Sequence, residues 1–177
     1  ALFSQVRNKK RQNKKNIVVD LKPEGYQLVK VKEDVLDYLT AGAKEHSITA
    51  FWEYLIYLEV CYKVLEKDQQ THKRDPDLYE AYNKLRALYL ESPNVSKGDF
   101  SERLLLVSEN ISEEYSGKFG TLKENRLTSG NVTELLHTNE IRNLQRELSQ
   151  YLNKKKEVWV LFDNLDKFLE LKDKIGD

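Results

Sequence analysis

Five consecutive apolar residues, Val158 to Phe162, stop abruptly at a carboxylate, Asp163. The run is too short for a helix and suits a strand buried on both faces, which demands covering structure on each side. Asp163 and Asp166 follow at the carboxyl end of that strand, where α/β sheets place their ligands. The same acids also suit a plain turn, because buried strands often end in Asp.

One other segment has strand character. Asn16–Leu21 is rich in β-branched residues and closes on Lys22-Pro23-Glu24-Gly25, a turn sequence. From there to residue 156 the apolar spacing is almost wholly helical. Val31, Val35, Leu36 and Leu39 mark one helix. Ser47 is placed to cap the next, which carries Ile48, Phe51, Trp52, Leu55, Leu58, Tyr62 and Leu65 along one face. Ile56, Val60 and Cys61 add a second apolar side, so this helix is expected at the centre of the core.

Asp75-Pro76 supplies an N-cap followed by proline at the first helical position. Leu78, Tyr82, Leu85 and Tyr89 then recur at spacings of four and three, the seam of a packed helix pair. Ser92-Pro93 ends that helix. Asp99 caps another with Phe100, Leu104, Val107, Ile111 and Tyr115, and the Gly- and Ser-richer stretch 116–130 is expected as an exposed loop. Val132 to Leu136 fits either a short strand or the entry to the helix of Ile141, Leu144, Leu148, Tyr151 and Leu152. Lys154-Lys155-Lys156 reads as a solvated turn before the last strand, and Phe168, Leu169, Leu171 and Ile175 as a helix after it.

Charge excludes some functions. Lys plus Arg and Asp plus Glu both number 29, so the whole chain has no net attraction for nucleic acid or anionic membrane. Six of the nine residues from Arg7 to Lys15 are basic, which the carboxyl end of a helix favours. No aromatic residues are interleaved there to stack on bases, so a nucleic-acid partner is not expected. Charged residues reach 33%, but ten Tyr, six Phe and two Trp argue for a packed protein rather than disorder. Cys61 is the one cysteine, which excludes an internal disulfide and points to a reducing, cytoplasmic setting. The most apolar helix contains Glu53, Glu59 and Lys63, so no membrane span is expected.

Other chemistry is thinly represented. His46, His72 and His137 are scattered, without a second ligand at i+4, which argues against a metal site of that type. There is no Gly-x-Ser-x-Gly elbow. Trp52, Tyr54, Tyr57 and Tyr62 fit a helix core, and Glu113-Glu114 a solvated helix surface.

In chain order there is a helix without a capping residue before Leu2, Phe3 and Val6, then a strand, a long helical stretch, and a strand ending in Asp163. This order, with Asp163-Asn164-Leu165-Asp166-Lys167, resembles the bacterial P-loop ATPases related to the STAND and KAP groups, whose Walker B strand ends in a similar acidic motif. The resemblance implies an α/β fold: an incomplete P-loop NTPase core with a large, mainly helical insertion between its second strand and the Walker B strand. Residues 1–22 would open the core, 23–130 would form the insertion and 131–177 would return to the core. Residues 1–6 look like the helix that follows a Walker A loop, and the chain contains no methionine, so an excerpt of a longer protein is expected.

The implied ligands are ATP and Mg²⁺. Asp163 would hold the magnesium through water, and Asn164 stands where many such ATPases carry the acid that polarises the attacking water. An amide orients a water but cannot take its proton, so Asp166 would have to substitute. Asn164-Leu165-Asp166 also reads as a polar turn capping the following helix. The main departure is the phosphate loop: Gly-x-x-x-x-Gly-Lys-Ser/Thr occurs nowhere, and Gly117-Lys118-Phe119-Gly120-Thr121 has the letters without the order. The expected function is therefore part of an ATPase that couples nucleotide occupancy to conformational change, not competent by itself. The competing expectation is a helical protein–protein interaction module without nucleotide chemistry.

Overall fold

The computed structural model describes residues 2–22, 44–92, 98–119 and 139–163, with residues 30, 33, 37, 128, 130, 131 and 134 besides. Among them the protein is mostly helical, with a small two-stranded parallel sheet. The elements are α1 (Leu2–Arg11), β1 (Asn16–Leu21), α2 (Lys44–Asp68), a 3-10 turn (His72–Arg74), α3 (Pro76–Glu91), α4 (Phe100–Phe119), α5 (Asn139–Leu152) and β2 (Glu157–Phe162). The chain forms two compact units. One holds residues 1–21, 56–95 and 139–162, and the other residues 22–55, 96–138 and 163–177.

In the first unit β1 and β2 lie side by side and parallel, with Asn16 opposite Glu157 and Leu21 opposite Phe162. Paired residues of a parallel ladder share a face, so Asn16, Val18 and Asp20 stand with Glu157, Trp159 and Leu161. Helix α1 covers that face. Its Lys10 ammonium lies 3.1 Å from the Glu157 carboxylate and 4.0 Å from the centre of the Trp159 ring. Arg7 and Arg11 reach Asp20 at 3.8 and 2.6 Å. Only four residues separate Arg11 from Asn16, so the chain reverses between α1 and the strand it covers, and α1 runs antiparallel to the strands. Its amino end therefore points toward their carboxyl ends.

The opposite face corrects one expectation. Ile17, Val19 and Leu21 of β1 are buried, but Val158 and Val160 of β2 remain 39% and 37% exposed. Burial alternates along β2, so it is a half-covered strand and not one enclosed on both faces. The apolar run allowed both outcomes, because covering depends on neighbours that the run itself does not specify.

The rest of the first unit is helix on helix. The second half of α2 buries Leu58, Val60, Cys61, Val64 and Leu65, consistent with the central role expected of it. Helix α3 packs on α5 through Tyr82, Leu85 and Tyr89 on one side and Leu144, Leu148 and Tyr151 on the other, all buried. Each leucine so buried contributes about 1.5–3 kcal/mol. The seam closes with Lys84 on Glu147 at 2.9 Å. In the second unit the Trp52 ring meets Phe51 edge-on at 6.2 Å and stacks on Phe100 at 6.5 Å. Leu104, Val107 and Ile111 of α4 are buried there.

Two caps form where the sequence places them. The Asp75 carboxylate accepts from the N–H groups of Asp77 and Leu78, with Pro76 in the first turn, and that of Asp99 accepts from Glu102 N–H at 3.0 Å. Two boundaries differ. Helix α2 begins at Lys44, so Ser47 lies inside its first turn, and α4 runs on to Phe119, so the start of the expected loop is helical. Most residues of the expected helix from Val31 to Leu39, of the segment Val132 to Leu136, and the terminal helix of Phe168 to Ile175 lie outside the described residues.

Removing the α3 cap should be measurable. Asp75→Ala is expected to lower stability by about 1 kcal/mol, read as a reduced urea midpoint at unchanged slope. An unchanged midpoint would mean that the cap bonds carry no net stability.

Candidate functional site

Asp163 directly follows β2 and Lys22 directly follows β1. Their side chains meet at 3.8 Å and are 55% and 66% exposed. At that exposure the pair holds the carboxylate only weakly, and water reaches it freely. One accessible carboxylate matches what a protein commonly gives Mg²⁺, which keeps most of its waters and takes phosphate oxygens for the remainder. Asp163 thus fits the protein side of such an ion. The triphosphate side has no counterpart among the described residues. Gly117 belongs to α4, which removes the Gly117-Lys118-Phe119-Gly120 letters from consideration as a phosphate-wrapping loop. Asn164, Asp166 and Lys167 lie outside the described residues.

No group of three or more His, Cys, Asp or Glu side chains suited to a metal occurs among the described residues. No helix among them is long and apolar enough to cross a membrane. Cys61 is buried, and that burial pushes its thiol up, away from the reactive thiolate. His72 is buried and stacked on the Tyr82 ring, with centroids 3.7 Å apart and planes 7° from parallel.

The polar cluster that sequence reasoning missed surrounds Asp68. Its carboxylate is almost fully buried; it accepts from the Tyr151 hydroxyl at 2.6 Å and from the Lys155 ammonium. The Asp68 carbonyl lies 2.9 Å from His72 Nδ1. A carbonyl can only accept, so in this contact the proton is on Nδ1. The Tyr82 hydroxyl donates to the Leu65 carbonyl at 3.0 Å, closing the group from α3. Lys155 was expected in a solvated turn, yet its side chain is only 6% exposed. The signal for this lay in α2: the buried positions Leu58, Cys61 and Leu65 continue at helical spacing to Asp68. A periodic core face that ends in an acid calls for a buried cation. With every member paired, the cluster ties the end of α2 to the end of α5 and offers no vacant chemistry.

Comparison with protein-family models, with curated proteins and with solved structures finds no match to this chain.

The cluster has consequences for stability. Burial pushes the Tyr151 phenol up, and its bond to Asp68 adds to the shift. A group raised on folding stabilises fully below its unfolded value and loses that contribution as pH rises through the folded one. Stability should therefore fall as pH climbs above about 10, the ordinary tyrosine range. Tyr151→Phe should flatten part of that slope in alkaline urea titrations, and an identical slope would refute the assignment. Lys155→Met leaves Asp68 buried beside an apolar chain and should cost about 3–5 kcal/mol. Adding Asp68→Leu should recover part of the loss; no recovery in the double variant would show that packing, not charge, is responsible.

Proposed function

We propose that this chain is part of an ATP-binding P-loop ATPase, with Asp163 on the magnesium and the conformation of the helical region coupled to nucleotide occupancy. The observation that carries the reading is the parallel, in-register pairing of β1 with β2. It makes the two strands end together, with an exposed acid as the residue after one of them. The direction of α1 supports it further, since a helix whose amino end points to the carboxyl ends of parallel strands offers N–H groups to an anion there. In this reading the phosphates are held by a Gly-rich loop that these 177 residues do not contain. Asn164 then orients water without accepting its proton, and Asp166 is left as the base. A reducing, cytoplasmic setting accompanies this proposal.

The test is Mg²⁺-dependent binding of a fluorescent ATP analogue, by this chain and by the product of the whole gene. The chain alone should show none at millimolar nucleotide. The whole product should bind, and Asp163→Ala should weaken its Mg²⁺-dependent affinity at least about tenfold. Binding that ignores both Mg²⁺ and Asp163 would end the proposal.

A second reading, as a helical binding module, draws on Tyr79 and Leu90. Both are more than half exposed, and eleven residues apart they share one side of α3. Such paired apolar exposure is a feature of partner surfaces. Under this reading Tyr79→Ser with Leu90→Ser abolishes self-association in sedimentation or pull-down of a partner, while Asp163→Ala changes neither.

A further inference from the structure

We propose that the amino ends of β1 and β2 form a lysine face that binds the phosphate backbone of duplex nucleic acid, independent of base sequence. Two turns remote in sequence create it. The N–H of Lys156 donates to the carbonyl of Lys15 at 3.0 Å, joining the turn before β2 to the turn before β1. Each turn is also held by its own backbone: Asn16 N–H on the Asn13 carbonyl at 3.0 Å, Lys154 N–H on Tyr151 at 3.0 Å, and Lys155 N–H on Leu152 at 2.9 Å. The Asn13 side chain accepts from Lys15 N–H at 2.9 Å. Four side chains, Lys14, Lys15, Lys154 and Lys156, are thereby exposed side by side. The strands behind them are about 4.8 Å apart.

The surrounding charges leave this face positive. Of the nearby acids, Glu157 already receives Lys10, the Asn16 amide and the Trp159 indole on one oxygen. Asp68 is occupied by Tyr151 and Lys155, and Glu66 by Lys63. Among the described residues none of the four exposed lysines has a carboxylate within ion-pair distance. A fifth, Lys67, donates to the Asn16 carbonyl at the start of β1. Its ammonium is held below the ordinary lysine range by burial first, with Lys155 and Arg11 adding like-charge repulsion. The chain is neutral as a whole, so this excess is local and comes from folding. The basic run of α1 is mostly engaged elsewhere: Arg7 and Arg11 share Asp20, Lys10 is on Glu157, and Lys9 alone adds an exposed charge beside the face.

The chemistry of the face selects the partner. An acidic protein is commonly anchored by aromatic or apolar groups, and the large exposed apolar side chains among the described residues, Leu2, Tyr79, Leu90, Val158 and Val160, belong to none of these turns. Base reading calls for Arg forks or stacking rings. Here there is neither; the Trp159 ring lies beneath Lys10. Four point cations on a firm frame suit repeating phosphates, where each contact releases counterions and none reads sequence.

The test is fluorescence anisotropy of a labelled 20-base-pair DNA duplex of mixed sequence titrated with the chain. Four phosphate contacts predict a loss of affinity of roughly a hundredfold between 50 and 200 mM KCl. Lys14→Gln/Lys15→Gln and Lys154→Gln/Lys156→Gln should each weaken binding about tenfold or more at low salt. Arg86→Gln/Arg142→Gln removes the same charge from α3 and the start of α5, the latter about 15 Å of helix from the end beside the face, and should leave binding within twofold. The salt slope of the unaltered chain tests the proposal even if a variant misfolds. Absence of binding at 50 mM salt, a flat salt response, or equal loss in the arginine control would overturn it. So would phosphatidylserine vesicles or poly-glutamate binding as tightly as the duplex, which would assign the face to a membrane or an acidic protein.

Discussion

The parallel ladder between β1 and β2 is the constraint on which the first unit depends. It joins segments separated by most of the chain, and a parallel pair cannot be closed by a tight turn. Everything between must return the chain to the starting end of the sheet. Only one residue-for-residue alignment places Lys10 on Glu157 and the two arginines on Asp20 together. A slip by one residue would turn Glu157 and Trp159 to the other face, away from α1. The ion pairs are individually weak because they are partly exposed. Their importance is that they distinguish one register from its neighbours in a sheet too small to do so by burial alone.

The helices meet a different constraint at the end of α2. There the core face runs into an acid, and the fold answers with a lysine and a tyrosine from more than eighty residues further along the chain. An apolar replacement would pack more cheaply, since desolvating an ion pair offsets much of its attraction. What the pair adds is specificity of place. Lys155 can reach Asp68 only when α5 ends at the end of α2, and the same turn then carries Lys154 and Lys156 outward. The buried lysine and its exposed neighbours are thus one structural decision, taken at a single turn.

Much of this was legible in the residues. Asp75-Pro76 and Asp99 gave helix starts because a cap is a local event, decided by a side chain and the N–H groups next to it. Leu78 to Tyr89 announced a helix pair for the same reason, as spacing within one segment. The two strands were legible too, and the structure pairs them in parallel. What escaped was non-local. Val158 and Val160 look like core residues until the extent of the sheet is known, and Lys155 is indistinguishable from Lys154 and Lys156 until Asp68 arrives beside it. Asp163 illustrates the same limit for the candidate site: its position after a strand is readable, whereas its partner Lys22 is set by the pairing. The proposed P-loop reading draws on the Asp163 to Lys167 letters and this layout together.

A parallel pair also polarises the unit in a way an antiparallel one would not. Both strands begin at one end and finish at the other, so residues that flank them fall into two groups by sequence direction alone. Before the strands stand Lys14, Lys15, Lys154 and Lys156; after them stand Lys22 and Asp163, which neutralise one another. The four lysines before the strands therefore have no carboxylate at ion-pair distance among the described residues, while an ion pair follows them.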